Sequence, residues 1–401
     1  MSKRKEFVMA TSNSEGLYID ADVKVSFLAP SRAGKTTLLS AIFSEVQGDA
    51  ARTQYRFGTT GIVKRKMTAC IFDFQSQFDI AKSGYLQGRP FFIPSMLPSV
   101  GQTAYAFYLQ TLQTDPYVSQ KRATIQFSFR DYPGGLINTP EAIPEDLREY
   151  IEFSRIMFVP IPTDILQEYY NPNVSEEVMA KAKTLLQLDK ISQQLLAWVA
   201  NHIEKREYCY LCFVPVKCEQ CFNDNGGTKN SAPELFAYVK QAYLESILES
   251  NLPIDEYVQI EIRAVDTFGI SEYDHMELKD KEWTSYFRVR DEEFKTMFPK
   301  PKVKGASALF ASVLNFTLSN IAYDSGLHYR ELSEIIENRK PLERLGKAIL
   351  AILGKRDVER LAMEEYSSKQ KSFLRAAMDF SKAADENPQR CCVINQIAAF
   401  K

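Results

Sequence analysis

The sequence predicts an α/β protein with a mostly parallel β-sheet, helices on both faces and one antiparallel hairpin strand. Short apolar runs that are typical of buried strands alternate along the chain with longer stretches of helical periodicity, as in proteins built from crossover connections. Two neighbouring runs, 104–112 and 123–130, are joined closely enough to predict a hairpin. With 401 residues, 45% of them hydrophobic and 25% charged, the chain is long enough for one large domain or two ordinary ones.

The first two elements are predicted from their periodicity. Residues 23–28, VKVSFL, alternate apolar and polar side chains and predict a buried strand. Residues 36–46 predict a helix because apolar side chains recur there at helical spacing, namely Leu38, Leu39, Ile42, Phe43 and Val46. After the hairpin, the predicted strands are 153–161, 208–216 and 257–263, and the predicted helices are 176–204 and 233–249.

Beyond residue 301 the sequence predicts helices only, over 306–322, 328–338, 341–354 and 356–385. We place a boundary near residue 325, which gives an α/β domain over 1–325 and a helical C-terminal region over 326–401. The stretch LGKAILAILGKR in this region could dock on a protein partner or a membrane surface, although a packed helix has the same pattern. We expect a protein partner to bind the C-terminal region.

The composition argues against several classes of protein. The formal net charge of −2 gives no overall attraction to nucleic acid or to an anionic membrane. No apolar run approaches the length of a transmembrane helix, and the first residues, MSKRKEF, lack the apolar stretch of a signal peptide. We therefore expect a cytoplasmic protein whose seven cysteines are thiols rather than disulfides.

Residues 29–36, APSRAGKT, match a phosphate-binding loop in all but the first position. The pattern is Gly, four residues, then Gly-Lys-Ser/Thr, and Ala29 stands where the first glycine is expected. In such a loop Lys35 reaches the β- and γ-phosphates, and the Thr36 hydroxyl binds magnesium. Backbone N–H groups of the loop and the first helical turn surround the phosphates. The predicted nucleotide-binding set is therefore Ser31, Arg32, Ala33, Gly34, Lys35, Thr36 and Thr37.

A second motif, RDYPGG, ends the predicted strand 123–130. Asp131 could hold magnesium through water, and the N–H of Gly134 could bond the terminal phosphate. Loss of that phosphate would then release the loop. The motif alone is a common turn, but after a strand downstream of a phosphate loop it indicates a site that senses the nucleotide.

On these two motifs the chain resembles the translation-factor-like GTPase class, in which a phosphate loop is followed by a β-hairpin and a DxxG motif. It is similar to large bacterial GTPases of stress and conflict systems, whose loops resemble SRAGKTT, and the resemblance covers about residues 20–322. It implies a P-loop NTPase fold, GTP or GDP with Mg²⁺ as ligands, and a switch that hydrolyses slowly and signals its state to a partner. It makes Lys35 the phosphate ligand, Thr36 and Asp131 magnesium ligands, and Gly134 the γ-phosphate sensor.

The resemblance also implies a switch threonine just before the first hairpin strand. Thr103 fits this place and is expected to bind magnesium and to take part in catalysis. Thr59 and Thr60 are nearer the phosphate loop, but no convincing hairpin follows them. The choice of Thr103 implies an enlarged first switch region over about 47–101.

The guanine-reading motif of the class is Asn/Thr-Lys-x-Asp at the end of a later strand, where this chain has Val216-Lys217-Cys218-Glu219. The Lys217 stem could cover the base, and the Glu219 carboxylate could accept two hydrogen bonds that guanine donates and adenine does not. Ala264, after the strand 257–263, could supply a backbone contact to the base. The missing Asn/Thr and the longer Glu219 side chain leave the choice between GTP and ATP open.

Hydrolysis is the largest departure from the class. Many members carry a water-orienting glutamine after DxxG, where this chain has Gly135. Hydrolysis is then slow, or the role passes to Arg32, to a partner, or to a second copy of the chain in a homodimer. Arg32 could equally point to solvent or pair with an acid. Two alternatives stay open: a nucleotide-binding scaffold without meaningful turnover, and an ATP-using phosphate-loop enzyme. ATPases with an inserted sheet strand normally carry a glutamate directly after the magnesium aspartate. In this chain Tyr132 follows Asp131 at that position.

Two cysteine pairs, Cys209-x-x-Cys212 and Cys218-x-x-Cys221, superficially have the spacing of a zinc site. Cys209 and Cys212 lie on a predicted strand, where residues three apart face opposite sides. The five residues between the pairs are also fewer than in usual zinc ribbons. Structural thiols are the favoured interpretation, with zinc as the alternative.

Overall fold

The computed structural model of the chain describes most of the predicted α/β region and the last residues of the chain. The described ranges are 21–30, 33–52, 55–59, 63–65, 92–94, 103–111, 124–132, 143–225, 231–267, 271–289, 302–324 and 387–400, with the single positions 76, 79, 269, 380 and 384.

The strands lie in two sheets. In chain order they are β1 (Ala21–Phe27), β2 (Tyr55–Thr59), β3 (Phe92–Pro94), β4 (Thr103–Thr111), β5 (Thr124–Asp131), β6 (Ile156–Pro162), β7 (Cys209–Val216), β8 (Val258–Arg263), β9 (Ser271–Lys279), β10 (Glu282–Val289) and β11 (Cys391–Asn395). Within the described residues, eight of them form a sheet of order β11-β8-β7-β6-β1-β5-β4-β2, and β3-β10-β9 form a smaller one.

The centre of the large sheet is parallel, as predicted. Strand β1 pairs in parallel with β5 on one side and β6 on the other, and β7 and β8 continue the parallel order. Strand β4 pairs antiparallel with β5, which confirms the predicted hairpin strand. Every residue of β6 and β7 is buried, because helices cover both faces of a parallel sheet.

The helices follow the predicted alternation with two local differences. They are α1 (Lys35–Ala50), α2 (Glu145–Phe153), α3 (Thr163–Tyr170), α4 (Glu176–Leu186), α5 (Leu188–Glu204), α6 (Ala232–Val239), α7 (Glu245–Leu248), α8 (Ile254–Tyr257) and α9 (Ala306–Asp324) among the described residues. The helix predicted over 176–204 is two helices, since Gln187 adopts a left-handed conformation with φ 50° and ends α4. The helix predicted over 233–249 contains a π-helical segment, Lys240–Leu244.

An aromatic cluster fixes α1 and α9 against the sheet. Phe310 of α9 lies 4.6 Å from Phe127 of β5 and 5.4 Å from Phe57 of β2, measured between ring centroids. Phe43 of α1 lies 5.9 Å from Phe107 of β4. All five rings are buried. The helix that begins at Lys35 is therefore held on the sheet by large apolar contacts, which fixes the position of its first turn.

The end of the chain differs from the prediction. The helical C-terminal region, 326–401, is not confirmed, because its described residues Cys391–Asn395 form a strand that pairs antiparallel with β8. This segment therefore belongs to the large sheet. The helices predicted over 328–385 lie outside the described residues, apart from positions 380 and 384. Among the described helices, none combines the length and the apolar character that crossing a membrane requires.

The acid Glu45 links α1 to the start of α9 and gives a test of this packing. Glu45 Oε2 accepts a hydrogen bond from the Ser307 N–H at 2.7 Å, in the first turn of α9. Burial raises the pKa of Glu45 to about 7, against the opposing effect of this hydrogen bond. Because the folded pKa lies above the unfolded value, the contribution of Glu45 to stability is present at low pH and is lost as the pH rises through about 7.

We therefore expect Glu45→Gln, which keeps an acceptor for Ser307 but cannot ionise, to be more stable relative to the parent at pH 8 than at pH 5. The shift in relative free energy of unfolding should be at most about 3 kcal/mol. Urea unfolding at both pH values measures it, with the exposed Glu152→Gln as control. The same free-energy difference at both pH values would contradict the assignment.

Candidate functional site

The loop between β1 and α1 is attached to the sheet at its start and ends at a glycine. The Leu28 N–H donates to the Phe158 carbonyl at 2.9 Å, so the pairing of β1 with β6 continues past the end of the strand. Gly34, directly before α1, has φ 85°, a left-handed conformation that glycine adopts without strain. This turn points the first N–H groups of α1, which have no acceptors within the helix, toward the loop. Ser31 and Arg32 lie outside the described residues.

Lys35 begins α1 with its side chain turned inward. The residue is 7% exposed, and burial lowers the pKa of Lys35 while the nearby Asp131 carboxylate raises it. The Lys35 ammonium lies 5.7 Å from the centroid of the Tyr132 ring. A buried cation held in this way is incompletely compensated, and an anionic group beside it would be stabilised.

The next residue of the helix meets the end of the neighbouring strand. Thr36 Oγ1 donates to Asp131 Oδ2 at 2.5 Å, and Asp131 is 4% exposed. This contact follows from the topology, because β5 lies directly beside β1 and both strands end at the same edge. The structure therefore brings together three of the predicted site residues, Lys35, Thr36 and Asp131.

A hydroxyl and a carboxylate are ligands that suit a magnesium ion bound together with phosphate oxygens and water. Mg²⁺ at phosphate sites usually takes one or two protein ligands of this kind, so Thr36 and Asp131 fit the predicted ion. In the part of the chain that the structure describes, no group of three or more His, Cys, Asp or Glu side chains is arranged to hold a metal by itself. An ion at Thr36 and Asp131 would accordingly share its coordination with a bound phosphate.

Tyr132 occupies the position after the predicted magnesium aspartate. Its hydroxyl donates to the Phe27 carbonyl at the end of β1, and the residue is 2% exposed. Burial, with the adjacent Asp131 charge, raises the pKa of Tyr132 above its ordinary value. The side chain is thus a neutral structural link between β5 and β1, and it does not offer a base for activating water.

The strand register bears on the choice of switch threonine. The first residue of β4, Thr103, pairs with Asp131 across the antiparallel ladder, so its backbone lies at the same edge as the predicted magnesium site. Thr59 lies on the edge strand β2, and its Oγ1 donates to the Ala106 carbonyl at 2.6 Å. The Thr59 hydroxyl is therefore hydrogen-bonded to the backbone of the neighbouring strand β4. Thr60, Gly134, Gly135 and most of 47–101 lie outside the described residues.

The predicted base-reading residues begin beside the predicted phosphate loop. A Cβ at Gly34 would lie 3.4 Å from Val216 Cγ2, so the end of β7 and the loop before α1 share one edge of the sheet. Lys217 follows with φ 58°, and its Nζ lies 3.4 Å from Asp164 Oδ2 and 5.6 Å from the Phe287 ring centroid. The Lys217 side chain is therefore held between α3 and β10.

Glu219 is buried and turned toward the loop after β8. Its Oε1 accepts hydrogen bonds from the backbone N–H groups of Thr267 at 3.1 Å and Gly269 at 3.3 Å. This contact ties the two loops in which the base motif and Ala264 were predicted. It also anchors one carboxylate oxygen in the protein, so Glu219 cannot present both oxygens to a base in this conformation.

The Ala264 N–H is engaged within the protein. It donates to the Arg390 carbonyl at 2.9 Å, which continues the pairing of β8 with the C-terminal segment. The next two N–H groups, of Val265 and Asp266, donate to the carbonyls of Pro215 and Lys304. Ala264 therefore lies just after the end of β8, and its N–H is hydrogen-bonded to the C-terminal segment. The loop residues that contact Glu219 are Thr267 and Gly269.

The clustered cysteines are core residues. Cys209, Cys212 and Cys218 are fully buried, and burial raises the pKa of each thiol above its ordinary value. Cys221 is buried as well, and burial raises its pKa to about 11. All four thiols are therefore protonated at neutral pH, as expected for structural cysteines.

Sequence reasoning missed several residues around this edge. Asp164, 1% exposed, could have been noticed because it closely follows the buried strand β6, where polar residues gather in parallel sheets. Phe287 and Arg390 carry no such indication, since each reaches the site from a distant part of the chain. Their proximity to the site follows from the positions of β10 and β11 in the structure.

The sheet order and the gathered side chains can be compared with known classes of fold. A mostly parallel α/β sheet, with Lys35, Thr36 and Asp131 gathered where β1 and β5 end, is compatible with the fold of phosphate-loop nucleoside triphosphatases. A scan against protein-family models and a search of curated proteins found no match to this chain.

Proposed function

We propose that the protein binds GTP with Mg²⁺, hydrolyses it slowly, and signals its nucleotide state to a protein partner. The observation that carries this proposal is the buried Lys35 ammonium beside the Thr36–Asp131 hydrogen bond of 2.5 Å, at the start of a helix. A cation, a hydroxyl, a carboxylate and the first N–H groups of a helix lie together at the start of α1. This combination suits a magnesium-bound triphosphate.

The sheet order supports the GTPase class over the alternative ATPases. In the ATPases with an inserted strand, the phosphate-loop strand and the magnesium-aspartate strand are separated, whereas β1 and β5 pair directly here. The antiparallel β4 on the outer side of β5 supports the same class. Tyr132 stands where those ATPases have glutamate.

Different residues of the chain take different roles in the proposed activity. Lys35 and the first N–H groups of α1 bind the phosphates, and Thr36 and Asp131 hold the ion with Thr103 nearby. The ion, when bound, neutralises charge on the transferring phosphoryl group. Tyr132 is neutral and bonded to Phe27, so it leaves the attacking water unoriented, which is consistent with slow turnover. Arg32, a partner, or a second copy of the chain is proposed to supply the missing group, and the ordering of Thr103 and Gly134 is proposed to report the γ-phosphate.

A scaffold that binds nucleotide without meaningful turnover is the second candidate. Tyr132 favours it, because the position beside the magnesium aspartate carries a structural hydroxyl and no carboxylate. Single-turnover hydrolysis distinguishes the two, since a scaffold leaves the bound triphosphate intact over hours.

The choice of GTP over ATP is tested at Glu219. We expect Glu219→Ala to weaken GTP binding about tenfold or more, with a much smaller loss for ATP, because the variant lacks the carboxylate that is proposed to accept a hydrogen bond from guanine. Glu219→Gln is the control for the loop contact, since its amide oxygen can still accept from Thr267 and Gly269. Equal losses for both nucleotides, or ATP preference in the parent protein, would contradict guanine recognition. If Glu219→Gln bound GTP as tightly as the parent, Glu219 would serve only to hold the loop through Thr267 and Gly269.

A further inference from the structure

A buried arginine near the C-terminus joins the loops that follow β7 and β8. Arg390 Nη2 donates to Asp224 Oδ1 at 2.5 Å and to Asp266 Oδ2 at 2.7 Å, and Nε donates to Asp224 Oδ2 at 2.9 Å. The guanidinium lies over Phe222, with Cζ 4.2 Å from the ring centroid. Arg390 is 4% exposed and Asp266 is fully buried.

One of the acids that Arg390 binds, Asp266, contacts the segment that holds the predicted base-reading residues Lys217 and Glu219. Asp266 precedes Thr267, whose N–H donates to Glu219 Oε1 at 3.1 Å. Cys218, between Lys217 and Glu219, has its Sγ 3.7 Å from Asp266 Oδ1. Arg390 therefore connects to Glu219 through both loops.

The C-terminal segment is attached at this point through its backbone as well. The Arg390 carbonyl accepts from the Ala264 N–H, and Asn387 Nδ2 donates to Asp224 Oδ2 at 2.7 Å. Strand β11 then continues along β8, with Cys391 opposite Arg263. The loops and the segment Asn387–Asn395 thus form one connected unit.

The charges in this unit depend on one another. Burial opposes the charge on Arg390, but the hydrogen bonds and charges of Asp224 and Asp266 raise the pKa of Arg390 above its ordinary value. For Asp224, burial raises the pKa, but the hydrogen bonds from Arg390 and Asn387 hold the pKa below its ordinary value. Removal of the guanidinium would leave Asp266 buried without its cation, so the loops would have to rearrange.

We propose that Arg390 is a positioning residue of the nucleotide site, which holds the loops after β7 and β8 in the arrangement that receives the base of a nucleoside triphosphate. This inference rests on the proposed function. Because coupling between two binding equilibria is reciprocal, base binding tightens the attachment of the C-terminal segment, and detachment of that segment weakens base binding. A protein bound to residues before Asn387 thereby has a physical connection to the base.

The test separates the base from the phosphates. Dissociation constants are measured for GTP, ATP and inorganic triphosphate, which has the phosphates and no base, in the full chain and in Arg390→Gln. We expect the variant to bind its preferred nucleotide about tenfold or more weakly, and inorganic triphosphate within about twofold of the parent. The turnover number at saturating nucleotide should change far less than KM.

The matched control is Asn395→Ala, at the far end of β11. Asn395 Nδ2 donates to the Val258 carbonyl at 2.6 Å, so its loss loosens the same strand away from the loops. This control should keep its nucleotide affinity. Equal losses for nucleotide and inorganic triphosphate in Arg390→Gln, or the same nucleotide loss in Asn395→Ala, would overturn the inference. Failure of the parent protein to bind any of the three probes would refute the proposed function, and this inference with it.

Hydrogen exchange of the parent protein gives a second test that needs no variant and holds if Arg390→Gln does not fold. Saturating nucleotide should slow exchange of the amides in 217–222, 264–267 and 391–395 together. Inorganic triphosphate should protect the phosphate loop without protecting 391–395. Nucleotide protection that stops short of 391–395 would overturn the proposed role of Arg390.

Discussion

Lys35→Ala should weaken the binding of nucleoside triphosphate at least about tenfold, or roughly 1.4 kcal/mol, because it removes the charged contact that we propose to the β- and γ-phosphates. The unfolding temperature of the nucleotide-free protein should stay the same or rise. Burial lowers the pKa of Lys35, so the folded protein holds this charge at a cost that a smaller, neutral side chain avoids. A loss of affinity with retained stability distinguishes a ligand-binding lysine from a structural one.

Lys24→Ala is the matched control for this experiment. Lys24 lies on β1 and is exposed, so its loss removes the same charge at a position away from the loop before α1. The control should bind nucleotide as the parent does. If Lys35→Ala kept the parent affinity, the loop before α1 would not be the phosphate site.

Asp131→Asn should lower magnesium-dependent turnover about a hundredfold or more, or roughly 2.7 kcal/mol in activation free energy. The asparagine oxygen can still accept from Thr36, so the local packing is retained while the charge that we propose to hold the ion is lost. Nucleotide affinity measured in EDTA should change little, because the ion is absent in that measurement. The affinity gained on adding Mg²⁺ should be largely abolished.

Asp146→Asn is a suitable control, since Asp146 is an exposed acid paired with Arg130 at 2.6 Å on α2. Its rate and magnesium dependence should match those of the parent. Unchanged magnesium dependence in Asp131→Asn would exclude Asp131 as a ligand of the ion. If the parent protein shows no turnover to lose, the magnesium effect on affinity alone still decides the point.

The centre of the fold could be predicted because each element carries a strong local pattern. Strand β1, the loop, α1 and the β4–β5 hairpin all lie within a few residues of their predicted bounds. The predicted neighbours Lys35, Thr36 and Asp131 meet because parallel strands bring their carboxyl ends to one edge. For these residues, the sequence motifs and the strand topology both indicate that the side chains lie close together.

The edges of the fold could not be predicted in this way. The β9–β10 hairpin turns at Asp280 and Lys281, which both have positive φ, although such turns are usually indicated by Asn-Gly or Asp-Gly. Strand β11 is short and half-exposed, and it pairs with β8 from more than a hundred residues away. Nothing local to CCVIN specifies that partner. Arg390 and Phe287 were missed for the same reason.

The predicted base-reading residues are intermediate, because their positions could be predicted and their contacts could not. The position of Lys217 and Glu219 after β7 could be predicted, but their partners could not. Glu219 accepts from the Thr267 and Gly269 N–H groups, and Ala264 is engaged by Arg390. Side-chain orientation depends here on loops that come together from separate parts of the chain, which spacing in the sequence does not reveal.

The most direct test of a magnesium–nucleotide site at Lys35, Thr36 and Asp131 is equilibrium binding of GTP and ATP to the unmodified protein, with Mg²⁺ and with EDTA. Denaturing the purified protein and identifying any released nucleotide belongs to the same measurement. We predict saturable one-to-one binding that Mg²⁺ strengthens, GTP favoured over ATP, and GTP or GDP as the released nucleotide. Absence of binding for both nucleotides at millimolar concentration, with and without Mg²⁺, would contradict the proposed site.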